Sequence, residues 1–276
     1  MTISISNIAW EVPQDADVAA ILQRHRVGMI DIAPGKYFPD FAQADAAAMA
    51  VVRRWWQERG IAIVGMQALL FGTEGLNLFG PPAVRQRMLD HLGHVCRIGA
   101  GLGACRLVFG SPKNRDRSGL DDAQTLDLAV AFFARLAAIA AGHGVVVCLE
   151  PNPPCYGANF MTTTAETAAV VEAVNHPAIR LQFDSGALHL NNEPPAAVLA
   201  AHGSLVGHVH ASEPQLLPVG TGGCNHQACA AALAQALPAD TIITIEMLTR
   251  AAADPLAAID AAVGVVVGTY GRGGER

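Results

Sequence analysis

Four apolar runs in the second half of the chain each finish on a residue able to ligate a divalent cation. Val145-Val146-Val147-Cys148-Leu149 ends on Glu150, and Ile179-Arg180-Leu181-Gln182-Phe183 ends on Asp184. Val206-Gly207-His208-Val209 ends on His210, and Ile242-Ile243-Thr244-Ile245 ends on Glu246. Three carboxylates gathered at one place repel one another and lose hydration unless a positive charge sits among them. A divalent cation removes that conflict. Three oxygens and one imidazole, with room left for water or substrate, suit Mn2+, Mg2+ or Co2+ better than a closed structural zinc site. Mn2+ is the expected ion, with Mg2+, Co2+ or Zn2+ as alternatives.

The two histidines of Gly207-His208-Val209-His210 need separate readings. Side chains along a strand repeat every two residues, so His208 and His210 share a face. They differ in depth by about 6–7 Å, which argues against a two-histidine chelate of one ion. His210 is read as the ligand. One step back from the other ligands lie Cys148, Gln182 and Thr244, a polar layer under the ion. His208 and Gln182 are expected to support the ligands by hydrogen bonding.

Eight strand-like runs alternate with Ala- and Leu-rich segments of helical spacing. The strands are expected at Ile3–Ile8, Gly28–Ala33, Ile61–Gln67, Cys105–Gly110, Val145–Glu150, Ile179–Asp184, Val206–His210 and Ile242–Glu246. Helices are expected at Asp15–Arg26, Phe41–Arg59, Pro82–Ile98, Asp121–His143, Thr163–Asn175, Pro195–His202, His226–Ala236 and Asp254–Val266. Thr163 followed by Glu166 has capping-box spacing, and Pro81-Pro82 suits a first helical turn. Near-continuous apolar strands in strict alternation with helices imply a parallel sheet covered on the outside. Eight such units in a chain of 276 residues imply an α/β protein, a single (β/α)8 TIM barrel spanning 1–276 with 268–276 as a flexible tail. Chemistry in that barrel sits at the C-terminal ends of the strands, where the four ligand candidates stand. The segment after the first strand, Ile8-Ala9-Trp10-Glu11, has no glycine, so a dinucleotide fingerprint is absent.

Such a site has a definite chemistry available. A cation held against a carbonyl and its neighbouring hydroxyl acidifies the adjacent C–H and stabilises the enediolate that forms. Two carboxylates on opposite faces of that planar species could remove a proton from one face and return it to the other, which is epimerisation. Acting on neighbouring carbons, they would interconvert aldose and ketose.

The ordered set Cys148-Leu149-Glu150-Pro151-Asn152, Asn159-Phe160, Gln182-Phe183-Asp184-Ser185, His208-Val209-His210-Ala211-Ser212-Glu213 and Ile245-Glu246 resembles the xylose-isomerase-like TIM-barrel superfamily. That superfamily includes D-tagatose 3-epimerase, hydroxypyruvate isomerase and inosose dehydratase. Leu217-Pro218-Val219-Gly220-Thr221-Gly222 is similar to its proline–glycine loop after strand seven. The resemblance runs over nearly the whole chain. It implies Glu150, Asp184, His210 and Glu246 as metal ligands, with Glu150 and Glu246 also exchanging the substrate proton. It further implies a small sugar or polyol substrate and often a homodimer or homotetramer. Three positions depart from the epimerase-type pattern. Gly157 stands for a glutamate, Ala187 for a histidine (His189 follows two residues later), and Leu216 or Leu217 for an arginine. Trp10, Lys36, Gln67 and His189 are the candidates to contact substrate in their place.

Other functions are weighed on the same residues. A lyase or dehydratase acting on a keto-cyclitol or keto-sugar would begin from the same enolate and stays open as the alternative. Apurinic-site endonucleases on this barrel need additional histidines at strand ends, where this chain has Ala33, Gln67 and Gly110. The net charge of −6 and the lack of a basic cluster beyond Arg53-Arg54 also argue against a nucleic-acid partner. A non-catalytic sugar-binding barrel would explain the three departures and nothing else. Six cysteines without a CxxC pair are expected to be buried and reduced. The N-terminus MTISISNIAW does not read as a signal peptide, and Leu126–Gly142 is interrupted by Asp127 and Arg135. A cytoplasmic protein with no membrane partner is therefore expected.

Overall fold

Each apolar run forms a strand within one or two residues of its expected limits. They are β1 (Thr2–Ser6), β2 (Met29–Ile32), β3 (Ala62–Met66), β4 (Arg106–Phe109), β5 (Val146–Leu149), β6 (Ile179–Asp184), β7 (Val206–Ser212) and β8 (Ile242–Glu246). All pair in parallel in chain order, and β8 closes onto β1 with Thr2 opposite Ile242 and Ile5 opposite Ile245. The computed structural model describes residues 1–271 as one (β/α)8 barrel. Residues 272–276 of the expected flexible tail lie outside the described residues.

The helices around the barrel are α1 (Asp15–Arg24), α2 (Ala46–Gln57), α3 (Pro82–Leu102), α4 (Asp122–Gly142), α5 (Thr164–Val174), α6 (Ser185–Leu190), α7 (Pro195–His202), α8 (His226–Ala236) and α9 (Pro255–Tyr270). Local chemistry fixes where they start. Asp45 Oδ1 accepts from Ala48 N at 2.7 Å, so α2 begins at Ala46 and not at Phe41. At α5, Thr163 Oγ1 accepts from Glu166 N at 3.1 Å, while Glu166 reaches one residue further back, to Thr162 N at 2.7 Å. Expected as tail, Gly268–Tyr270 instead form the last turn of α9. Tyr270 is buried, and its hydroxyl lies 2.7 Å from His226 Nδ1. Short α6 has no sequence signal of its own, because it begins directly at the end of β6. By length and composition α4 could cross a membrane, yet it buries Phe132, Phe133, Leu136 and Ala140 in the barrel's core.

Strand alternation divides the core in two. Ile5, Ile30, Leu107, Leu149, Phe183, Ile243 and Ile245 are fully buried and form the apolar layer with the helices. The alternate positions Ser4, Asp31, Gln182, His208 and Thr244 are also buried, and the barrel interior is correspondingly polar. Two register shifts fall beside this set, between Ile30 and Asp31 in β2 and between Leu181 and Gln182 in β6. Bulges of this kind re-aim side chains next to a site. All six cysteines are free, but Cys105 and Cys155 are exposed. Cys105 precedes β4 at the rim instead of lying inside it, which corrects the expectation of uniform burial.

Candidate metal centre and active site

The ends of β5 to β8 converge on one point. His210 Nδ1 lies 3.2 Å from Glu246 Oε2, 3.4 Å from Glu150 Oε1 and 3.9 Å from Asp184 Oδ2. One ligating atom from each of the four residues lies within 4.8 Å of those from the other three. All four side chains are buried. Glu150 Oε1 has no hydrogen-bonding partner, a costly state for a buried carboxylate oxygen unless a cation meets it. Three acids facing a single imidazole leave negative charge in excess. The residues present fit a divalent ion.

The protonation states of these side chains carry the same message. Burial, reinforced by the charges of Glu246 and Glu150, pushes the Asp184 carboxyl up to about 7. Burial alone would lower the His210 imidazole, but the neighbouring Glu246 and Glu150 carboxylates hold it well above its ordinary value. At Glu246 burial is outweighed by His210 and by the Gln67 hydrogen bond, so its carboxyl is lowered. These shifts retain protons, and so positive charge, at the place where an ion would supply it.

Each carboxylate is also held from outside. Ser212 Oγ donates to Asp184 Oδ2 at 2.7 Å, and Ala187 N donates to Asp184 Oδ1 at 2.6 Å. Gln67 Nε2 donates to Glu246 Oε1 at 2.6 Å. Asn152 Nδ2 donates to Glu150 Oε2 at 3.2 Å, and the Asn152 side-chain oxygen accepts from the buried guanidinium of Arg115. Arg115 also donates to the Glu150 backbone carbonyl at 2.8 Å, and burial lowers its pKa to about 10. Gly110 follows β4, and a Cβ there would overlap Glu150 Oε2. Above the four residues opens a cavity of about 300 Å³ that Glu150, Asp184 and Glu246 help to line.

Residues 23–265 match the family model for the xylose isomerase-like TIM barrel. The chain belongs to this family. Among solved structures similar to it, D-psicose 3-epimerase from Clostridium cellulolyticum H10, determined with D-tagatose, superposes with a TM-score of 0.81 at 16% identity, covering 98% of this chain and 99% of that one. The 3-keto-D-glucoside 4-epimerase YcjR from E. coli gives 0.77 at 16% identity, with coverage of 96% and 98%. An IolI protein with a bound zinc atom gives 0.75 at 15% identity, with coverage of 98% of each chain. At these identities the likeness establishes the shared fold. No curated protein matches the chain.

Within this xylose isomerase-like barrel the two histidines occupy different layers, their ring centres 5.3 Å apart. His208 Nε2 lies 2.7 Å from Asp31 Oδ2 and 3.3 Å from Thr244 Oγ1, and Ser4 Oγ donates to Asp31 Oδ1 at 3.3 Å. Gln182, with its amide oriented to satisfy its neighbours, donates to the His208 carbonyl and accepts from His210 N, both at 3.3 Å. Asp31 went unnoticed in the sequence. Its signal was a lone carboxylate inside the apolar run Met29-Ile30-Asp31-Ile32, which Gly65 accommodates by lacking a side chain. Arg115 and Asn152 were missed as well, since they act from loops with no periodic pattern.

Of the four expected substrate contacts, only Gln67 reaches the centre, through Glu246, and its Oε1 is left without a partner. The other three lie elsewhere in this structure. Trp10 is buried, donates from its indole to Asp15 Oδ1 at 2.7 Å and stacks edge-on against Trp56, so it packs the core. Lys36 donates to the Trp10 carbonyl and pairs with Glu11 at 3.3 Å, which ties its ammonium to the loop after β1. His189 is exposed because α6 starts at Ser185. Two helical steps turn it about 200° from Ala187, which faces the cavity. Glu213 clamps the following loop. It accepts from Gly220 N and Cys224 N, both at 2.9 Å, and from His226 at 3.0 Å.

Proposed function

We propose that this protein is a divalent-metal-dependent isomerase or epimerase that acts on a ketose or related polyol through an enediolate. The observation that carries the reading is the placement of Glu150 and Glu246 within 4.8 Å of one another and of Asp184 and His210, at the floor of a cavity. Glu150, Asp184, His210 and Glu246 would hold the ion, Mn2+ first among the candidates. When bound, the ion polarises the substrate carbonyl and lowers the cost of charge on the enediolate oxygens. One glutamate takes the proton from the carbon next to the carbonyl, and the other returns a proton to the opposite face or to the adjacent carbon. Gln67 and Asn152 fix the two carboxylates so that neither can turn away from the substrate. Asp184 and His210 are left for holding the ion.

The similar structures named for sugar epimerases support an isomerase-type enzyme with a small-molecule substrate. An acidic chain without a long basic run supports the same choice over a nucleic-acid partner. A cytoplasmic homodimer or homotetramer is the setting we expect. The test is incubation of Mn2+-loaded protein in D2O with free ketoses, inososes and keto-sugar acids, with deuterium followed by NMR at the carbon beside the carbonyl. Reversible exchange together with an epimer or isomer is expected, and Glu246→Gln should slow it by about 10^3-fold. Loss of water in place of exchange would move the protein to the lyases. Saturating metal with no exchange on any of these compounds would sink the reading.

A further inference from the structure

The metal-binding floor of the cavity and its walls have opposite character. The walls are built by Pro112, Pro151, Pro153, Ala187 and Leu216. Polar side chains that also border the cavity have their hydrogen bonds committed within the protein. Asn152 gives its amide N–H groups to Glu150 and the Pro151 carbonyl and its oxygen to Arg115. Ser212 donates to Asp184 and accepts from Gly186 N at 2.9 Å. Glu213 accepts from two backbone N–H groups and from His226. At the reacting end Gln67, which lies behind Glu246 and does not line the cavity, has its Oε1 buried without a partner. Toward the opening, among the described residues that line the cavity, only the Tyr156 hydroxyl proton and the Gln215 side-chain amide stay uncommitted.

The backbone that presents this wall is strained. Gln215 and Leu216 both have left-handed φ, 58° and 55°, which costs energy for residues with a side chain. Two hydrogen bonds hold the conformation: Gln215 N donates to Tyr156 Oη at 2.7 Å, and Leu248 N donates to the Leu216 carbonyl at 2.8 Å. The polypeptide is thus constrained to put Leu216 on the wall. Beyond it, four exposed large apolar residues stand on loops that follow alternate strands: Val12 after β1, Phe71 after β3, Tyr156 after β5 and Leu217 after β7. All four loops lie at the end of the barrel where the cavity opens.

A free hexulose placed here would bring several hydroxyls against walls that offer almost nothing to pair with them, and each unpaired hydroxyl loses its hydration without return. An apolar group gains from the same walls. We propose that the substrate is a ketose or keto-sugar with an apolar substituent, such as an O-linked alkyl or aryl group or a deoxygenated chain. Its α-hydroxy carbonyl meets the carboxylates, and its apolar end lies along Pro151, Pro153 and Leu216. This rests on the isomerase reading above, whose α-hydroxy carbonyl it takes as the polar end.

Two matched pairs of compounds test it on the Mn2+-loaded protein: D-fructose against its 5,6-dideoxy counterpart, and methyl against phenyl 3-keto-β-D-glucoside. Calorimetry reads affinity, and deuterium uptake in D2O separately reads chemistry. The more apolar member of each pair is expected to bind at least about ten-fold more tightly, equivalent to about 1.4 kcal/mol. Leu216→Asn is the informative variant, because asparagine tolerates left-handed backbone. It should cut that preference several-fold with metal content unchanged. Equal or tighter binding of the hydroxylated members would overturn the proposal. Deuterium exchange with the wrong affinity order defeats this inference alone. Exchange on none of the four, with the affinity order as expected, defeats the isomerase reading and leaves the apolar wall established.

Discussion

Two buried polar clusters lie one layer apart in the barrel, and they are built to different ends. In the lower one Asp31, His208, Thr244 and Ser4 satisfy one another, one carboxylate against one imidazole. In the upper one three carboxylates face a single imidazole, and Glu150 Oε1 and His210 Nε2 have no hydrogen-bonding partner. Ligand-type atoms come close enough for a metal in the upper cluster, in an Asp31–His208–His210 group that shares His210 with it, and in the Glu213–Cys224–His226 group. Proximity therefore does not separate a metal site from a structural one. What separates them is whether the charges and hydrogen bonds close without an added ion. The lower cluster and the Glu213 group close, while the upper cluster does not.

Variants of the upper cluster should break this contrast most strongly. Asp184→Asn keeps the partners Ser212 and Ala187 but removes the charge, and it should lower metal affinity by about 10^2-fold or more. Metal analysis of the purified variant would read about one ion per chain falling toward zero. Full metal in that variant would show that the cluster closes without Asp184. Gly110→Ala acts from outside the ligand set. Its new methyl takes the space of Glu150 Oε2, so metal affinity should fall on the order of 10–100-fold while the thermal midpoint barely moves. Unchanged affinity would mean that Glu150 can reach the ion from a different rotamer.

The contrast also explains what could be read from the chain alone. The barrel and the convergence of Glu150, Asp184, His210 and Glu246 were legible because both follow from periodicity. Apolar runs mark the strands, and a residue at a strand's end has only one place to be in a closed parallel barrel. His208 could be assigned to the lower layer by parity. Its partner Asp31 could not, since β2 and β7 meet only through the barrel's interior. The supports of the candidate centre were harder still. Arg115 and Asn152 reach Glu150 from loops whose paths are set by tertiary contacts. The directions of Trp10 and His189 were hidden for a related reason: position after a strand fixes height on the barrel but not direction. The Trp10 ring turns to Asp15 and Trp56, and α6 rotates His189 out to solvent.

Protonation sharpens the comparison by a smaller step. The Asp184 carboxyl, raised to about 7 by burial and by its acidic neighbours, is protonated below that value in the metal-free protein. His210, raised by the same carboxylates, also carries a proton that must leave before its nitrogen can bind an ion. Both effects have one sign: protons compete with metal, and the competition grows as pH falls. Metal affinity measured by calorimetry should fall about ten-fold or more for each unit below pH 7, with protons released on binding. An affinity independent of pH between 5 and 7 would contradict the charge imbalance assigned to the upper cluster.

The smallest effect on metal should come from the lower cluster, where the expected loss is in stability. Asp31→Asn replaces the carboxylate facing His208 Nε2 with an amide that cannot satisfy the imidazole and Ser4 equally well. One compromised buried hydrogen bond of this kind costs about 1–3 kcal/mol. In a domain of this size that lowers the thermal midpoint by roughly 2–4 °C per kcal/mol. Metal stoichiometry should stay near one per chain, because the ligand atoms lie a layer above and are held by Ser212, Gln67 and Asn152. A variant that melted normally but had lost its metal would invert the assignment. The lower pair would then be fixing the ligands, and the two clusters would have to be treated as one site.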